Sequence, residues 1–303
     1  MINILLMSNK NLLFSNILKI LRPYQWVKNI LVFIPMLMSH KLNYENFLLS
    51  LKAFIIFSLV SSIIYVINDI SDIKSDQKHP YKKYRPLAAG LISIRECKTL
   101  ILFLIIFCGL LLFNINTNFL LLIIFYFIIS NLYTFIFKKF ILIDLLILAI
   151  LYTLRIVGGG LITDIYVSIW LLSFSIFFFI SLASVKRLIE LINAKKLRYK
   201  KISVRGYVVD DKKTINLISV STSYISILVL ILYINSPQVL KLYSSPKILW
   251  GICIIMFFWI SRIINVTKKG EIKDDPIIYA INDKISYLCL VLILFIIWLG
   301  TTI

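Results

Sequence analysis

Histidine is nearly absent from this sequence, acidic side chains are scarce, and no cysteines have the spacing of a metal or redox site. Cys97, Cys108, Cys253 and Cys289 form no CxxC pair, and all but Cys97 sit in apolar segments. That argues against a structural metal centre and against a disulfide framework. The two histidines, His40 and His79, are not placed as catalytic bases; His79 precedes Pro80 and fits a turn. No GxGxxG or GxxxxGK(S/T) pattern occurs, so Gly158, Gly159 and Gly160 read as a site of close helix packing rather than a phosphate loop. The DGxxAR opening of a phosphatidyl-type transferase is missing as well. The N-terminus lacks both a basic region before its short apolar run and a small-residue cleavage site, so no signal peptide is expected. Only 14 acidic residues stand against 33 basic ones, for a net charge of +19. A chain this basic could bind nucleic acid, but in a strongly apolar chain the excess first reports cytoplasmic loops and anionic headgroups. No nucleic-acid partner is expected.

What is abundant is apolar sequence. Hydrophobic residues make up 60% of the 303 residues, and the mean hydropathy is +0.93. About 20 apolar residues cross a bilayer, and runs this long and continuous cross it as helices. The pattern predicts an all-α membrane protein with nine transmembrane helices, roughly 26–40, 48–67, 99–114, 118–137, 140–162, 166–185, 214–235, 247–266 and 282–300. The first is short and contains Pro35, and Phe14 to Arg22 before it reads as an amphipathic interfacial helix. The chain is expected to form one integral membrane domain over 1–303, with about 1–25 as an N-terminal interfacial segment. With the N-terminus inside, nearly all lysines and arginines fall on the cytoplasmic side, against Lys41, Lys52, Lys241 and Lys247 outside. The bias predicts a multi-pass membrane protein with a cytoplasmic N-terminus and a polar cavity on that side.

One polar stretch, Asn68 to Gly90 (NDISDIKSDQKHPYKKYRPLAAG), interrupts the apolar runs. On a helix advancing about 100° per residue, Asn68, Asp69, Asp72 and Asp76 fall at about 0°, 100°, 40° and 80°, so one amide and three carboxylates share a face. Such carboxylates persist in a water-poor setting only when paired or metal-bound, and an all-oxygen set suits Mg²⁺. Lys78, Lys82, Lys83 and Arg85 follow, with charge suited to a phosphorylated ligand. A second polar stretch, Lys186 to Lys213, opens to the same side four helices later. In it Lys186, Arg187 and Glu190 repeat the angular arrangement with mostly opposite charge. Within the fifth span, Asp144 and Arg155 lie about three turns apart on roughly one face, and a charge at that depth should face the bundle interior or a polar cavity. Asp274, Asp275 and Asp283 read either as a third polar wall or as helix caps.

These residues carry a resemblance. NDxxDxxxD at the end of the second span, nine helices and a second polar loop after the sixth resemble the UbiA superfamily of membrane prenyltransferases. RPYQWVKN (Arg22 to Asn29), the HPYKKYRP extension of the first motif, Leu132 to Gly160, SIW (Ser168 to Trp170), VKRLIE (Val185 to Glu190) and DPIIYAINDK look like the branch containing decaprenyl-phosphate phosphoribosyltransferase. The second Asp-rich motif usual in aromatic prenyltransferases of this fold is replaced here by KRLIE, which exchanges metal ligands for direct anion binders. The resemblance implies a Mg²⁺-dependent transfer of 5-phosphoribose from phosphoribosyl pyrophosphate to a polyprenyl phosphate. On that reading Asn68, Asp69, Asp72 and Asp76 hold the metal on the diphosphate. Lys82, Arg85, Lys186 and Arg187 take the other phosphate oxygens, Arg155 or Lys28 takes the lipid phosphate, and Glu190 steadies an oxocarbenium-like state. The acidic and cationic helix ends are expected to grip the donor jointly. Two rivals stand beside it: transfer of an isoprenoid from its diphosphate to an aromatic acceptor, and a cation-coupled transporter. Oligomeric state is left open, with a homo-oligomer compatible.

Overall fold

The computed structural model describes residues 15–78, 82–196, 205–272 and 275–302. His79, Asp274 and much of the basic stretch after Lys196 lie outside them. Its elements are helices. The longer ones are α1 (Tyr44–Lys78), α2 (Ile94–Leu112), α3 (Thr117–Phe135), α4 (Ile143–Thr163), α5 (Ile169–Lys196), α6 (Lys212–Ile234), α7 (Trp250–Lys269) and α8 (Lys284–Thr302).

Two of these helices outrun a bilayer. The 35 residues of α1 extend about 52 Å at 1.5 Å per residue, against a hydrocarbon thickness of about 30 Å. The apolar run ends at Ile67, and the same unbroken helix then carries Asn68 to Lys78. The acidic motif is therefore helical, as its angular arrangement requires. The 28 residues of α5 likewise carry Lys186 to Lys196 beyond its apolar part. Between α1 and α2 the chain makes a short 3-10 turn, Lys82–Tyr84. A capping box then starts α2: the Glu96 amide donates to Ser93 Oγ at 3.2 Å, and the Ser93 amide donates to the Glu96 carboxylate at 2.7 Å. Those bonds from Ser93 hold the Glu96 carboxyl below its ordinary range.

Among the described residues seven helices are long and apolar enough to cross a membrane: α1 and α3 to α8, two of them with a preceding 3-10 turn. The two remaining predicted spans differ for local reasons. Arg95, Glu96 and Lys98 occupy the first five residues of α2. The segment predicted as 26–40 is a 3-10 helix, Pro23–Phe33, followed by a five-residue α-helix, Ile34–Met38, each with a proline in its opening positions. A proline inside a run removes a backbone donor and crowds the preceding turn, so one continuous α-helix does not form. Residues 15–21 are helical. Ile20 is fully buried against Val66, Leu87, Ile92 and Cys97.

The chain forms two compact units, one of residues 1–134 and 154–166, the other of 135–153 and 167–303, so α4 contributes its first half to the second and its last half to the first. In the first unit Phe57 meets Phe119 and Tyr126 edge to face. Gly159 lies against the Val32 backbone, where a Cβ would sit 2.0 Å from the carbonyl oxygen. That contact confirms close packing at the glycine run. In the second unit Leu145, Ala183, Leu188, Leu191, Tyr207 and Ile215 form one core, and Val185, Ile189, Ile227, Ile260 and Ile263 belong to another.

Candidate active site

The first polar cluster is built on the end of α1. Asp69 and Asp76 are both buried, and arginines cover both. Arg22 Nη2 lies 2.5 Å from Asp69 Oδ1, while Arg85 Nη1 lies 3.1 Å from that oxygen and 2.6 Å from Asp76 Oδ2. Two guanidiniums thus balance two carboxylates, in the short charge-assisted geometry expected of buried pairs. Asn68 and Asp72, on the same face, are half-buried, and the buried Asn68 Oδ1 accepts no hydrogen bond from the described residues. Lys82, in the turn that follows, is half-buried too.

Arg22 is a site residue that composition and spacing did not single out, although it opens the RPYQWVKN block. It sits in the left-handed region at φ 53° immediately before Pro23, and its guanidinium also lies over the Tyr65 ring. The block reads antiparallel onto one face of α1. Arg22 reaches Asp69, Trp26 Nε1 donates to Ser62 Oγ at 3.0 Å, and Asn29 Nδ2 donates to Ser58 Oγ at 3.0 Å. Ser58, Ser62 and Asp69 fall within about 40° of one another around the helix. The signal was present as a 3.6-residue stripe of small polar groups in an apolar helix.

Arg155, deep in α4, belongs to this unit. Its Nε donates to Asn29 Oδ1 at 2.7 Å, its Nη2 to Tyr126 Oη at 2.6 Å, and its guanidinium lies over the Tyr126 ring at 5.0 Å. It faces the protein interior, as a charge at that depth must. Lys28 is buried in the same unit.

The second polar cluster lies within the second unit, around Asp144. Asp144 Oδ2 accepts from Arg187 Nε at 2.6 Å, and Asp144 Oδ1 accepts from the Tyr207 hydroxyl. Glu190 bridges Arg187 Nη1 at 2.5 Å and Arg205 Nε at 3.1 Å. Two acids, two guanidiniums and a phenol close a charge-balanced network. The Leu142 amide donates to the same phenol oxygen at 3.1 Å, and Gly206 approaches the Lys139 carbonyl so closely that a Cβ would sit 2.5 Å from it. Burial, with the bond to Asp144 and its charge, raises the Tyr207 phenol above its ordinary pKa. Tyr207 and Arg205 carried no sequence signal beyond lying in a basic loop.

Adjacent residues Lys186 and Arg187 part company here. Arg187 is fully buried, so it braces the helix end instead of presenting itself to a phosphate. Lys186 Nζ lies 3.1 Å from Asp275 Oδ2 at the edge of a small recess lined also by Leu148, Tyr152, Leu182 and Pro276. Asp275 caps the helix Pro276–Asn282 through the Ile277 amide at 3.0 Å. Asp283 instead pairs with Arg262 at 2.6 Å and accepts from Ser286. Burial opposes its ionisation, but the bonds from Arg262 and Ser286 outweigh that and hold its carboxyl below the ordinary range.

As donors for a hard cation these residues divide. Asn68 and Asp72 supply an orphaned amide oxygen and a carboxylate on one face, which fits Mg²⁺ with its retained waters. Asp69 and Asp76 are engaged by Arg22 and Arg85. Among the described residues no three acidic, histidine or cysteine side chains converge, so the fit rests on Asn68 and Asp72.

A model of the UbiA prenyltransferase family matches residues 30–281. The nodulation protein NoeC of Azorhizobium caulinodans is 33% identical over 278 residues, covering 89% of this chain and 88% of that protein. An uncharacterized protein, y4nM of Sinorhizobium fredii, is 34% identical over 88% of this chain, which spans about half, 52%, of that relative's length. The decaprenyl-phosphate phosphoribosyltransferase of Mycolicibacterium smegmatis is 27% identical over 299 residues, 96% of this chain and 92% of its own. A UbiA homolog from Archaeoglobus fulgidus, bound to DMAPP and Mg²⁺, shares the fold with a TM-score of 0.68 over 93% of this chain and 99% of that chain, at 17% identity.

Proposed function

This chain belongs to the UbiA prenyltransferase family, and from that premise we propose that it transfers 5-phosphoribose from phosphoribosyl pyrophosphate to a polyprenyl phosphate. It is a multi-pass membrane transferase; the donor, the acceptor and the residue roles that follow are our reading. The observation that carries it is the end of α5, where Lys186 keeps a partly exposed ammonium. Where a second acidic metal motif would serve a prenyl diphosphate, Lys186, Arg187 and Arg205 stand with Asp144, Glu190 and Asp275 as their ion-pair partners. The similarity to decaprenyl-phosphate phosphoribosyltransferases points the same way.

In this reading an oxygen of the polyprenyl phosphate attacks the anomeric carbon, the bond to the diphosphate oxygen breaks, and pyrophosphate leaves. The acceptor is an anion at neutral pH, so no strong general base is needed. Asn68 and Asp72 would hold Mg²⁺, with Asp69 and Asp76 behind them. When bound, the metal neutralises charge on the leaving diphosphate. Arg85 and Lys82 contact phosphate oxygens on the same cluster, and Arg22 keeps Asp69 oriented. Lys186 is the partly exposed cation of the α5 end and our candidate for binding a phosphate there. Arg187 positions that helix end, and Glu190, whose carboxylate is held by Arg187 and Arg205, is our candidate for steadying developing positive charge. Lys28 or Arg155 receives the lipid phosphate. Nine membrane crossings, with the two short N-terminal helices and α2 completing the count, and a cytoplasmic N-terminus and cavity belong to the same proposal; the charge bias supports them.

The test is donor choice. Membranes containing the protein, given labelled phosphoribosyl pyrophosphate and polyprenyl phosphate, should move label into the lipid phase. Product instead from a prenyl diphosphate and a hydroxybenzoate would replace this reading with aromatic prenylation.

A further inference from the structure

We propose that the cleft between α6 and α7 binds an anionic glycerophospholipid. This cleft, of about 240 Å³, is lined by Val220, Tyr224, Ser261, Ile264, Asn265 and Lys268, none of which takes part in either polar cluster. Its character changes steadily along its length. On α7, Ile254, Phe257, Ser261, Asn265 and Lys268 recur at three- and four-residue spacing and so form one stripe. The stripe runs from apolar through hydroxyl and amide to ammonium. On α6 the matching stripe is Leu228, Tyr224, Val220, Leu217 and Lys213.

The two stripes are in register. Tyr224 stacks on Phe257 with ring centroids 5.2 Å apart, and its hydroxyl lies 3.4 Å from Ser261 Oγ. From that level Lys268 is about 10 Å along α7, and Lys213 about 16 Å along α6 toward the same end, at 1.5 Å per residue. Both lysines are exposed. Lys195, Lys196, Lys212 and Lys269 lie at this end as well, with Lys196 Nζ donating to the Gly270 carbonyl. Among the described residues the local acids are Asp210, Asp211 and Glu271, and Asp211 is turned onto the Val208 amide. Positive charge therefore prevails at the end that the charge bias assigns to the cytoplasm.

An occupant must match three zones: an anionic head at Lys213 and Lys268, hydrogen-bond acceptors about a turn or two deeper at Asn265, Ser261 and Tyr224, and hydrocarbon beyond. Leu228, Ile254 and Phe257 are 54%, 72% and 52% exposed. A glycerophospholipid of one leaflet has all three features, its ester carbonyls falling at the hydroxyl and amide level. A polyprenyl phosphate has the head but no ester acceptors, and its chain outruns one leaflet.

The experiment uses the full-length protein in detergent, measuring its thermal midpoint and its bound lipid by native mass spectrometry. Phosphatidylglycerol should raise the midpoint and remain bound; phosphatidylcholine should do neither. A Lys213→Gln/Lys268→Gln variant, altered only at exposed positions, should keep its lipid-free midpoint and lose phosphatidylglycerol affinity about tenfold or more. Asn265→Trp, which fills the cleft without changing charge, should lose it too. The proposal is overturned if phosphatidylcholine acts equally, if neither lipid acts, if either variant binds phosphatidylglycerol as the native protein does, or if polyprenyl phosphate displaces phosphatidylglycerol at equal concentration.

Discussion

Arg187 and Asp144 meet where neither side chain has any exposed surface, Nε to Oδ2 at 2.6 Å. One residue comes from the middle of the helix-end motif of α5 and the other from the first turn of α4. A buried pair gains little over a well-packed apolar one, but removing one member strands the other's charge. Asp144→Leu or Arg187→Met alone should therefore destabilise the protein by about 3–5 kcal/mol. The double replacement should recover much of that loss. Thermal unfolding in detergent reads both; additive losses would show that the pair is not coupled.

Tyr207→Phe removes the hydroxyl that donates to Asp144 and accepts from the Leu142 amide, at a cost of about 1–3 kcal/mol. Because burial and Asp144 raise the phenol's pKa in the folded chain, the folded protein retains a proton that the unfolded chain releases. That contribution is complete below about pH 10 and declines as the pH rises past it. The stability gap between native and Tyr207→Phe proteins should narrow above that pH. A gap constant from pH 8 to 11 would contradict the assignment.

Gly159 has no room for a methyl group. The clash is with the Val32 backbone, which cannot swing aside as a side chain could. Gly159→Ala should cost about 1–3 kcal/mol by overpacking. Gly109→Ala, with nothing within 4 Å, should be neutral or stabilising by up to about 1 kcal/mol through helix propensity. Midpoints of the two variants measured side by side decide it.

Asp72→Asn should lower turnover by orders of magnitude and weaken the Mg²⁺ dependence of the reaction, while folded yield stays near native. Near-normal turnover would remove Asp72 from the metal site.

Lys186→Ala should raise the donor KM with less effect on turnover. Asp275→Asn supplies the control, since asparagine can still accept from the Ile277 amide while the ion pair to Lys186 is lost. Equal donor KM values for the two variants would mean that the lysine serves only its partner.

Much of this molecule was readable before any coordinates. Apolar runs located the long helices because, in hydrocarbon, a segment must satisfy its own backbone groups. The angular crowding of Asn68, Asp69, Asp72 and Asp76 marked a real helix face. The pairing of Arg22 with Asp69 was less visible, since the two are 47 residues apart and nothing local couples them. Asp144 and Arg155 share a face of α4 by spacing, yet one engages Arg187 and Tyr207, the other Asn29 and Tyr126.

By itself the sequence determined that this is a helical membrane protein with an acidic helix end on α1 and a cationic one on α5, because hydropathy and the 3.6-residue period act within a single helix. Only the tertiary structure decided which charges are already answered from within the protein. Of two neighbouring cations it buried Arg187 and left Lys186 partly exposed, and of the carboxylates on α1 it gave Asp69 and Asp76 to arginines. A charge leaves water only against a partner, and that partner is set by which distant segment packs alongside.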